Sequence, residues 1–527
     1  MTTSNPVSKI TVAVPFQIYP PYSGGQLRVF ELFKNLALWF DIDLVTLAHA
    51  GQKECVLEIV PGLREIRIPK STEHQEAEDA LTREIGVSTA DVGLPQFYKL
   101  SPAYIEALGK SAGSADAVVT SHPYLYSAIR EVSNKMLWYE AQDVEGSLKP
   151  KMLPDTDGGR KLALETVKIE QLCCMDSSLI MACSHDDGKL MENLYGTESS
   201  KITIVPNGVD THKVKFISWK ERVQKKSNKE EFNCLFLGSQ HGPNTDAVNL
   251  IIEHAHHLSE VNFLIVGSVC RDFKPDCVPA NVKLIGTVDD EMKSALLEKA
   301  DLAINPMTYG SGTNLKMLEY FAAGLPVVST PVGARGLDLE DGKSAIITDI
   351  NQFDNAIRLV RNSRTDEIDS LVNTARRLVE KNFDWQVIAE NLADTVQKRG
   401  LLKSEKQKRP NKKAIALVSP NIKEIVGTRS IFIWGAGSGG RETLELLRKK
   451  DTQVEGFIDN DPGKWQTDIM GLRVYSPTAL AGFKEKPFII IASLYATEIK
   501  QQLNSYGYID QSDYKQRDLW MPYIFLW

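Results

Sequence analysis

Residues 310–328 read GSGTNLKMLEYFAAGLPVV. They begin with a glycine loop at 310–312, which runs directly into a helical pattern. The free N–H groups and partial positive charge at such a helix N-terminus suit a phosphate group. Lys316 and Glu319 lie three positions apart on one face of this helix, so the lysine can reach a diphosphate and the carboxylate can accept hydrogen bonds from a ribose. Gly324 is expected to end the helix before a short buried strand. The pattern favours a sugar-nucleotide site, although loop, helix and strand in this order are also a common connection in α/β proteins.

Two further groups of residues fall where a cleft is expected. The sequence PPYSGG at 20–25 ends in Gly24 and Gly25, and a sharp glycine turn lets backbone N–H groups approach a diphosphate or an acceptor closely. The alternative is a simple turn into a helix. His122 ends the strand pattern of residues 115–123, at the carboxyl edge of a sheet where ligand-binding residues concentrate. For this histidine the alternative is a structural role.

The order of residues at 310–328 resembles the donor-site signature of glycosyltransferase family 4, and the turn at 20–25 resembles that family's first landmark. The resemblance covers about residues 10–400 and implies the GT-B fold, in which two Rossmann-like domains face a cleft. Family members usually carry two glutamates eight positions apart. Glu319 matches the second, whereas Ser311 stands at the position of the first. The ribose-binding role of the second glutamate is therefore retained, and a catalytic role of the first has no counterpart here.

The resemblance implies transfer of a glycosyl group from a nucleotide-sugar donor to a hydroxyl acceptor on a glycan or lipid. It implies retention of the anomeric configuration, no metal and no other required cofactor. His122 is the candidate catalytic residue because the family places a histidine against the donor sugar. Glu140 and Asp143 are further polar candidates, with a helix N-cap as the alternative for Asp143. The residues assigned to the nucleotide sugar are Gly24, Gly25, Ser311, Gly312, Thr313, Asn314, Lys316 and Glu319.

One pair of family residues is missing from the sequence. Many relatives have an arginine and a lysine after the first strand of the second domain, but residues 238–246, GSQHGPNTD, contain neither. Lys316 is therefore the best candidate cation for the diphosphate, and Arg271 is a weaker one.

Strand and helix patterns alternate along most of the chain, which predicts an α/β protein with doubly wound sheets. The pattern restarts after KITIVPNGVD at 201–210, which marks the connection between two domains. The fold class is thus two facing Rossmann-like domains plus a third, smaller one. The predicted parts are an N-terminal, acceptor-side domain at 1–200 joined by a crossing helix at 383–400, a donor-binding domain at 201–382, a basic linker at 401–427 and a small Rossmann-like domain at 428–527.

The third unit carries a dinucleotide-binding pattern of its own. Gly435, Gly437 and Gly440 form GxGxxG between a strand and a helix, and Asp459 ends the next strand. The segment resembles small Rossmann-like domains attached to sugar acyltransferases and methyltransferases. A second nucleotide site, for NAD or another nucleotide, is one interpretation; a structural or oligomerising role is the other.

The composition narrows the class of protein and its partners. With 43% hydrophobic residues, 24% charged residues and a net charge of −7, the chain fits a globular protein without a global nucleic-acid footprint. Seven cysteines without CxxC spacing favour reduced thiols in the cytoplasm. No apolar run approaches the roughly 20 residues of a membrane span. The basic run at 403–413 and the apolar end at 519–527 leave open a peripheral contact with the inner face of a membrane, and an oligomer is also compatible.

Overall fold

The computed structural model describes most of the chain. The described residues are 7–21, 23–225, 231–309, 314–337, 339–363, 365–403, 405–407, 426, 429–449, 452–483, 485–493, 495–509 and 513–516. The predicted glycine loop at 310–313, most of the basic linker and the apolar end at 519–527 lie outside them. The described strands form three sheets.

The first sheet has eight strands in the order β3-β4-β2-β1-β5-β6-β7-β8. They are β1 (Lys9–Val14), β2 (Asp41–Ala48), β3 (Cys55–Val60), β4 (Leu63–Pro69), β5 (Ala117–Ser121), β6 (Met136–Glu140), β7 (Leu179–Ala182) and β8 (Ile202–Ile204). The associated helices are α1 (Gly24–Leu36), α2 (Thr72–Ile85), α3 (Leu94–Phe97), α4 (Pro102–Gly113), α5 (Tyr126–Val132), α6 (Glu145–Met152), α7 (Asp157–Asp176) and α8 (His185–Tyr195). All neighbouring strands are parallel except β3 and β4. The chain runs outward from β1 in one direction and from β5 in the other, so the carboxyl ends of β1 and β5 border a switch point where ligands bind in such sheets.

The second sheet has six parallel strands in the order β11-β10-β9-β12-β13-β14. They are β9 (Phe232–Leu237), β10 (Val261–Val266), β11 (Val282–Gly286), β12 (Leu302–Asn305), β13 (Val327–Ser329) and β14 (Ile346–Ile347). Its helices are α9 (Trp219–Lys225), α10 (Gly242–Ala255), α11 (Asp290–Lys299), α12 (Leu315–Ala323), α13 (Phe353–Asn362) and α14 (Thr365–Asn382), and α15 (Trp385–Lys398) follows them. Here the switch point lies between β9 and β12.

The third sheet is smaller and mixed, in the order β17-β18-β16-β15-β19-β20. Its strands are β15 (Ile431–Trp434), β16 (Gly456–Ile458), β17 (Asp468–Ile469), β18 (Leu472–Tyr475), β19 (Phe488–Ile491) and β20 (Tyr514–Gln516), and its helices are α16 (Ser438–Lys449) and α17 (Ala496–Ser505). Only the β17–β18 pair among the described strands of this sheet is antiparallel. The predicted fold class, two Rossmann-like domains and a third smaller unit, is confirmed.

Buried strands at the centre of each sheet explain why these segments form parallel sheets. In β1, Ile10 and Val12 belong to one hydrophobic cluster, while Ala13 belongs to the cluster on the other face. A strand buried on both faces reads as a continuous apolar run, as ITVAV does. Gly324 ends α12 in the left-handed conformation at φ 73°, as its position in the sequence predicts.

Helix α15 contributes its apolar face to the first domain although it follows the second in sequence. Its buried residues Ile388 and Leu392 lie in the same cluster as Val29 and Phe33 of α1. The chain passes between the domains at Gly208, where a Cβ atom would lie 2.8 Å from three atoms of the 383–388 segment. Glycine at this position lets the two interdomain connections pass in contact.

The beginning of the predicted linker lies against the first domain. The backbone N–H of Gln407 donates to the carbonyl of Leu38 at 2.6 Å. The ammonium of Lys406 lies 5.1 Å from the centre of the Trp39 ring. Across the described residues, no helix combines the length and the apolar character needed to cross a bilayer.

Candidate active site

The turn after β1 brings the two large domains together. Ser23 caps α1 with its side chain, so the predicted turn into a helix is present. A Cβ atom on Gly24 would lie 3.5 Å from the side chain of Leu315, the first residue of α12. On Gly25 it would lie 2.7 Å from the amide oxygen of Gln142. The N-terminus of α1 in the first domain therefore lies next to the N-terminus of α12 in the second.

His122 follows β5 at the same switch point, in a backbone conformation that few residues adopt. Its φ is 66°, a value that is uncommon for any residue except glycine. The backbone is held on both sides: Thr120 Oγ1 donates to the His122 carbonyl at 2.6 Å, and the His122 N–H donates to the Glu140 carbonyl at 3.2 Å. Such strain is retained where the surroundings fix it, and it is frequent at functional positions.

The imidazole of His122 lies between two aromatic rings. The Phe16 ring meets it edge-on at 5.7 Å and the Tyr124 ring stacks at 6.2 Å. Its Nε2 lies 3.9 Å from Oε1 of Glu145, whose other oxygen accepts a hydrogen bond from the Tyr124 hydroxyl at 2.7 Å. The side chain is 14% exposed, so one edge of the ring stays accessible to a ligand.

Glu140 is fully buried, and protein groups occupy its carboxylate. Oε1 accepts from Nε of Arg28 at 2.6 Å, and Oε2 accepts from the Ser121 hydroxyl at 2.8 Å. Arg28 also donates to the carbonyl of Val205 at 2.9 Å and to Oδ1 of Asn207 at 3.1 Å. Glu140 therefore positions backbone and side chains of the cleft. The sequence placed Glu140 in this region but gave no sign of its partner, because 112 residues separate the two.

Asp143 lies on the loop after β6 and is not the N-cap of α6. That position belongs to Val144, so the structural alternative considered for Asp143 is wrong. Burial raises the pKa of the Asp143 carboxyl to about 7, and the nearby Glu145 and Asp187 carboxylates add to the increase. A carboxyl group of this kind can exist in either protonation state near neutral pH.

Lys316 lies at the switch point of the second sheet. Its ammonium donates to Oδ1 of Asn244, near the start of α10, at 2.7 Å and lies 4.1 Å from the centre of the Phe236 ring. Burial lowers the pKa of Lys316 to about 7. Within the described part of the chain, the ammonium forms no ion pair. The arrangement leaves a cation without a counter-ion between the N-termini of two helices.

Glu319 lies one turn further along α12 and has a cationic partner. Its Oε1 accepts from the ammonium of Lys293, on α11, at 2.9 Å. The Glu319 side chain is 25% exposed and that of Lys293 is 35% exposed. Lys293 was not among the predicted site residues, since a lysine on an exposed helix gives no signal in a single sequence.

The other predicted donor-site residues are placed as follows. Asn314 precedes α12, and its side-chain amide donates to the carbonyl of Gly333 at 2.9 Å. Ser311, Gly312 and Thr313 lie outside the described residues. No cluster of three or more histidine, cysteine, aspartate or glutamate side chains suited to a metal ion occurs in the described ranges.

Arg271, the weaker candidate for the diphosphate, pairs with the third domain. Its Nη1 lies 2.9 Å from Oε1 of Glu442 on α16. This contact joins the donor-side domain to the helix that follows the GxGxxG pattern. The charge of Arg271 is thereby neutralised by a carboxylate, in contrast to that of Lys316.

The GxGxxG segment of the third domain forms a tight strand-to-helix turn. Gly435 has φ 115°, and a Cβ atom there would lie 2.5 Å from the carbonyl oxygen of Ala492. A Cβ atom on Gly440 would lie 1.7 Å from the carbonyl oxygen of Gly435. At Gly437 no atom lies within 4 Å of the corresponding position. The fold thus requires glycine at Gly435 and Gly440, whereas a Cβ atom at Gly437 would meet no atom within 4 Å.

Asp459 directs its carboxylate to protein groups of the third domain. Oδ2 accepts from the backbone N–H of Ala436 at 2.7 Å and lies 3.2 Å from the ammonium of Lys464. Oδ1 accepts from the backbone N–H of Asp461 at 2.9 Å. These contacts fix the glycine turn itself, which supports the structural interpretation. A second nucleotide site at Gly435, Gly437, Gly440 and Asp459 stays a prediction.

Comparison with known proteins supplies the class of the two matched segments. Residues 231–363 match the family described as "Glycosyl transferases group 1", and residues 427–512 match "C2185-like, N-terminal". A glycogen synthase of Mycobacterium tuberculosis (strain ATCC 25618 / H37Rv) is 24% identical over 263 residues, which cover 47% of this chain and 60% of that protein. The chain therefore spans less than two thirds of this relative's length.

Solved structures share the fold at low sequence identity. A sucrose-phosphate synthase from Thermosynechococcus elongatus superimposes with a TM-score of 0.55 at 14% identity, covering 74% of this chain and 99% of that protein. Anabaena HepE in complex with UDP and glucose superimposes with a TM-score of 0.52 at 15% identity, covering 73% and 99%. Residues 231–363 are thus similar to group 1 glycosyltransferases, and the two large domains have the fold of these solved structures, the GT-B arrangement of two Rossmann-like domains. The resemblance drawn from the sequence is confirmed for the fold and for the matched segment, and residues 427–512 are similar to the C2185-like family.

Asp143→Asn is predicted to stabilise the protein at pH 8 more than at pH 5. A raised carboxyl pKa means that the folded state favours the protonated form, so stability is lost as the pH rises from about 4 to about 7 and stays lower above that. The amide resembles the protonated carboxyl and removes this loss. We expect a melting temperature about 2–4 °C higher at pH 8 and a smaller gain at pH 5, measured by thermal unfolding.

The matched control for this prediction is Asp394→Asn, which changes an exposed carboxylate on α15. It should shift the melting temperature equally little at both pH values. A gain for Asp143→Asn that is the same at pH 5 and pH 8 would contradict the assigned pKa.

Proposed function

We propose that the protein transfers a glycosyl group from a nucleotide-sugar donor to a hydroxyl acceptor, with retention, in polysaccharide or glycolipid assembly. The observation that carries the proposal is the pair of Lys316 and Glu319 on α12. Lys316 is a cation without an ion-pair partner in the described part of the chain, and Glu319 presents a carboxylate one turn away. These two groups match two parts of a nucleoside diphosphate: the anionic diphosphate, which a cation binds, and the neutral ribose diol, which donates hydrogen bonds to a carboxylate.

The donor would lie across the N-terminus of α12. Its diphosphate would be held by backbone N–H groups and by Lys316, and its ribose by Glu319. The sugar would then face the first domain, where Gly24 and Gly25 begin α1 and His122 follows β5. The close approach of Gly24 to Leu315 supports this orientation, because it brings the two switch points into one cleft.

The chemistry proposed for the chain's residues is electrostatic. As the bond from the sugar to the diphosphate breaks, charge develops on the leaving oxygen, and a positioned lysine with helix N–H groups stabilises it. In the front-face mechanism implied by the family resemblance, the leaving phosphate helps to deprotonate the acceptor hydroxyl. His122 would contact the donor sugar, and Asp143 would face either the acceptor or the donor. No metal takes part in this proposal.

The comparisons support particular substrates to test first. The Anabaena neighbour was solved with UDP and glucose, which makes UDP-glucose the first donor to try. One Mycobacterium relative is named a glycogen synthase and another, also 24% identical, a phosphatidyl-myo-inositol mannosyltransferase, so glycan and lipid-linked acceptors are both to be tested. The seven cysteines, none of them in a disulfide and five of them buried, are compatible with a cytoplasmic location. A peripheral membrane contact and an oligomer stay predictions.

Glu319→Ala is predicted to weaken donor binding. Calorimetric titration with UDP-, GDP-, ADP- and TDP-sugars should identify one donor that binds the wild type. Loss of hydrogen bonds to a charged carboxylate should then raise its Kd by about 10–100-fold. Glu291→Ala, an exposed glutamate on α11, is the matched control and should leave the Kd unchanged. An unchanged Kd for Glu319→Ala would place the nucleotide elsewhere, and binding without any turnover would favour a non-catalytic sugar-nucleotide scaffold.

Donor binding at pH 8 is predicted to be accompanied by proton uptake. Since burial lowers the pKa of Lys316 to about 7, this side chain is mostly neutral at pH 8 in the free protein. A bound diphosphate favours the charged form, so up to about one proton enters the complex at pH 8 and less at pH 6. The uptake is measured from binding enthalpies in buffers of different ionisation enthalpy. Lys316→Met should abolish it, and equal uptake in that variant would refute the assignment.

The glycosidic bond formed is predicted to keep the anomeric configuration of the donor. In a front-face reaction the acceptor attacks the anomeric carbon from the same face of the sugar from which the diphosphate departs. The measurement is the anomeric proton coupling of the isolated product by NMR. A product of inverted configuration would exclude the front-face mechanism while leaving donor binding untouched.

A further inference from the structure

The ion pair between Lys293 and Glu319 joins two helices of the donor-side domain. Lys293 lies on the first turns of α11, which follows β11, and Glu319 lies on α12, which follows β12. Nζ of Lys293 is 2.9 Å from Oε1 of Glu319 and 4.0 Å from Oδ1 of Asp290. Because Asp290 is fully exposed, the contact with Glu319 is the one that orients the lysine.

The two oxygens of the Glu319 carboxylate have different surroundings. Oε1 receives the hydrogen bond from Lys293. Among the described residues, none donates a hydrogen bond to Oε2. Burial is the largest single effect on the pKa of Lys293 and would lower it, but the Glu319 carboxylate, together with a smaller contribution from Asp290, raises it overall. The lysine is therefore charged when the carboxylate is ionised, and a charge-assisted hydrogen bond holds Oε1 in place.

We propose that Lys293 is a positioning residue of the ribose subsite. By holding one oxygen of Glu319, it directs the other toward the ribose hydroxyls of a ribonucleoside diphosphate. The inference rests on the proposed function of Glu319. The expected consequence is selectivity. The fixed carboxylate raises the affinity for a ligand that has both ribose hydroxyls and does not raise the affinity for one that lacks them.

Binding of a ligand to a fixed carboxylate costs less conformational entropy than binding to a mobile one. A side chain already held by a partner loses less rotational freedom when the ligand arrives. Removal of Lys293 would free the Glu319 side chain and weaken its contact with ribose specifically. A general disturbance of the helix packing would instead weaken every nucleotide to the same degree. The ratio of two affinities therefore separates positioning from a merely structural role.

The test compares nucleotides that differ at one ribose hydroxyl. UDP, GDP and ADP, each with its 2′-deoxy and 3′-deoxy analogue, are titrated into wild type, Lys293→Met, Lys293→Arg and the matched control Lys299→Met, an exposed lysine on the same helix. Wild type and the control should prefer the ribonucleotide by about 10-fold. Lys293→Met should lower this preference to about 2-fold by weakening the ribonucleotide alone, and Lys293→Arg should restore most of it.

Each outcome decides one question. If Lys293→Met keeps the full ribose preference, or weakens ribonucleotide and deoxynucleotide equally, the positioning role is overturned while the donor site stands. If no nucleoside diphosphate binds the wild type, the proposed function fails and this inference fails with it. If the preference falls in Lys293→Met and returns in Lys293→Arg, the ribose subsite includes Lys293.

Discussion

The guanidinium of Arg28 is almost fully buried and joins three parts of the first domain. It contacts Glu140 at the end of β6, and it donates to Val205 and Asn207 in the segment that leads to the second domain. A buried guanidinium without its carboxylate would leave an uncompensated charge, a loss of about 3–5 kcal/mol in comparable cases. The Arg28–Glu140 pair therefore fixes α1 relative to β6 and to the interdomain connection. The position of the Gly24–Gly25 turn at the N-terminus of α1 depends on this anchor.

From that anchor the cleft follows by the rules of parallel sheets. Each large sheet has one point where the strand order reverses, and loops that leave two neighbouring strands there must diverge. In the first domain the diverging loops carry the Gly24 turn and His122. In the second domain they lead to the helices that carry Asn244 and Lys316. The close approach of Gly24 to the side chain of Leu315 brings both switch points together, so the proposed site includes residues of both domains.

The sequence is sufficient for the elements and for part of the site. Alternating apolar runs and helical patterns define the three α/β units, because burial of strands on both faces leaves a strong signal. Lys316 and Glu319 are predictable because they share one helix with a glycine loop. Arg28 with Glu140 and Lys293 with Glu319 are not, since 112 and 26 residues separate the partners. Asp143 is a polar candidate in the sequence, but its raised pKa is not predictable, because it depends on residues that only folding brings close.

Glu319 and Lys316, the two ionisable groups of the proposed donor site, differ in whether a counter-ion is present in the protein. Glu319 has a counter-ion in Lys293, so its carboxylate is oriented before any ligand arrives. Lys316 has an amide and an aromatic ring as neighbours, and its buried ammonium has no carboxylate to offset the cost of desolvation. The free protein avoids that cost by releasing the proton near neutral pH. A bound diphosphate would supply the missing counter-charge, and the amine of Lys316 would then take up a proton from solvent. The carboxylate side of the site is thus arranged in advance, while the cationic side becomes fully charged only when an anion is present.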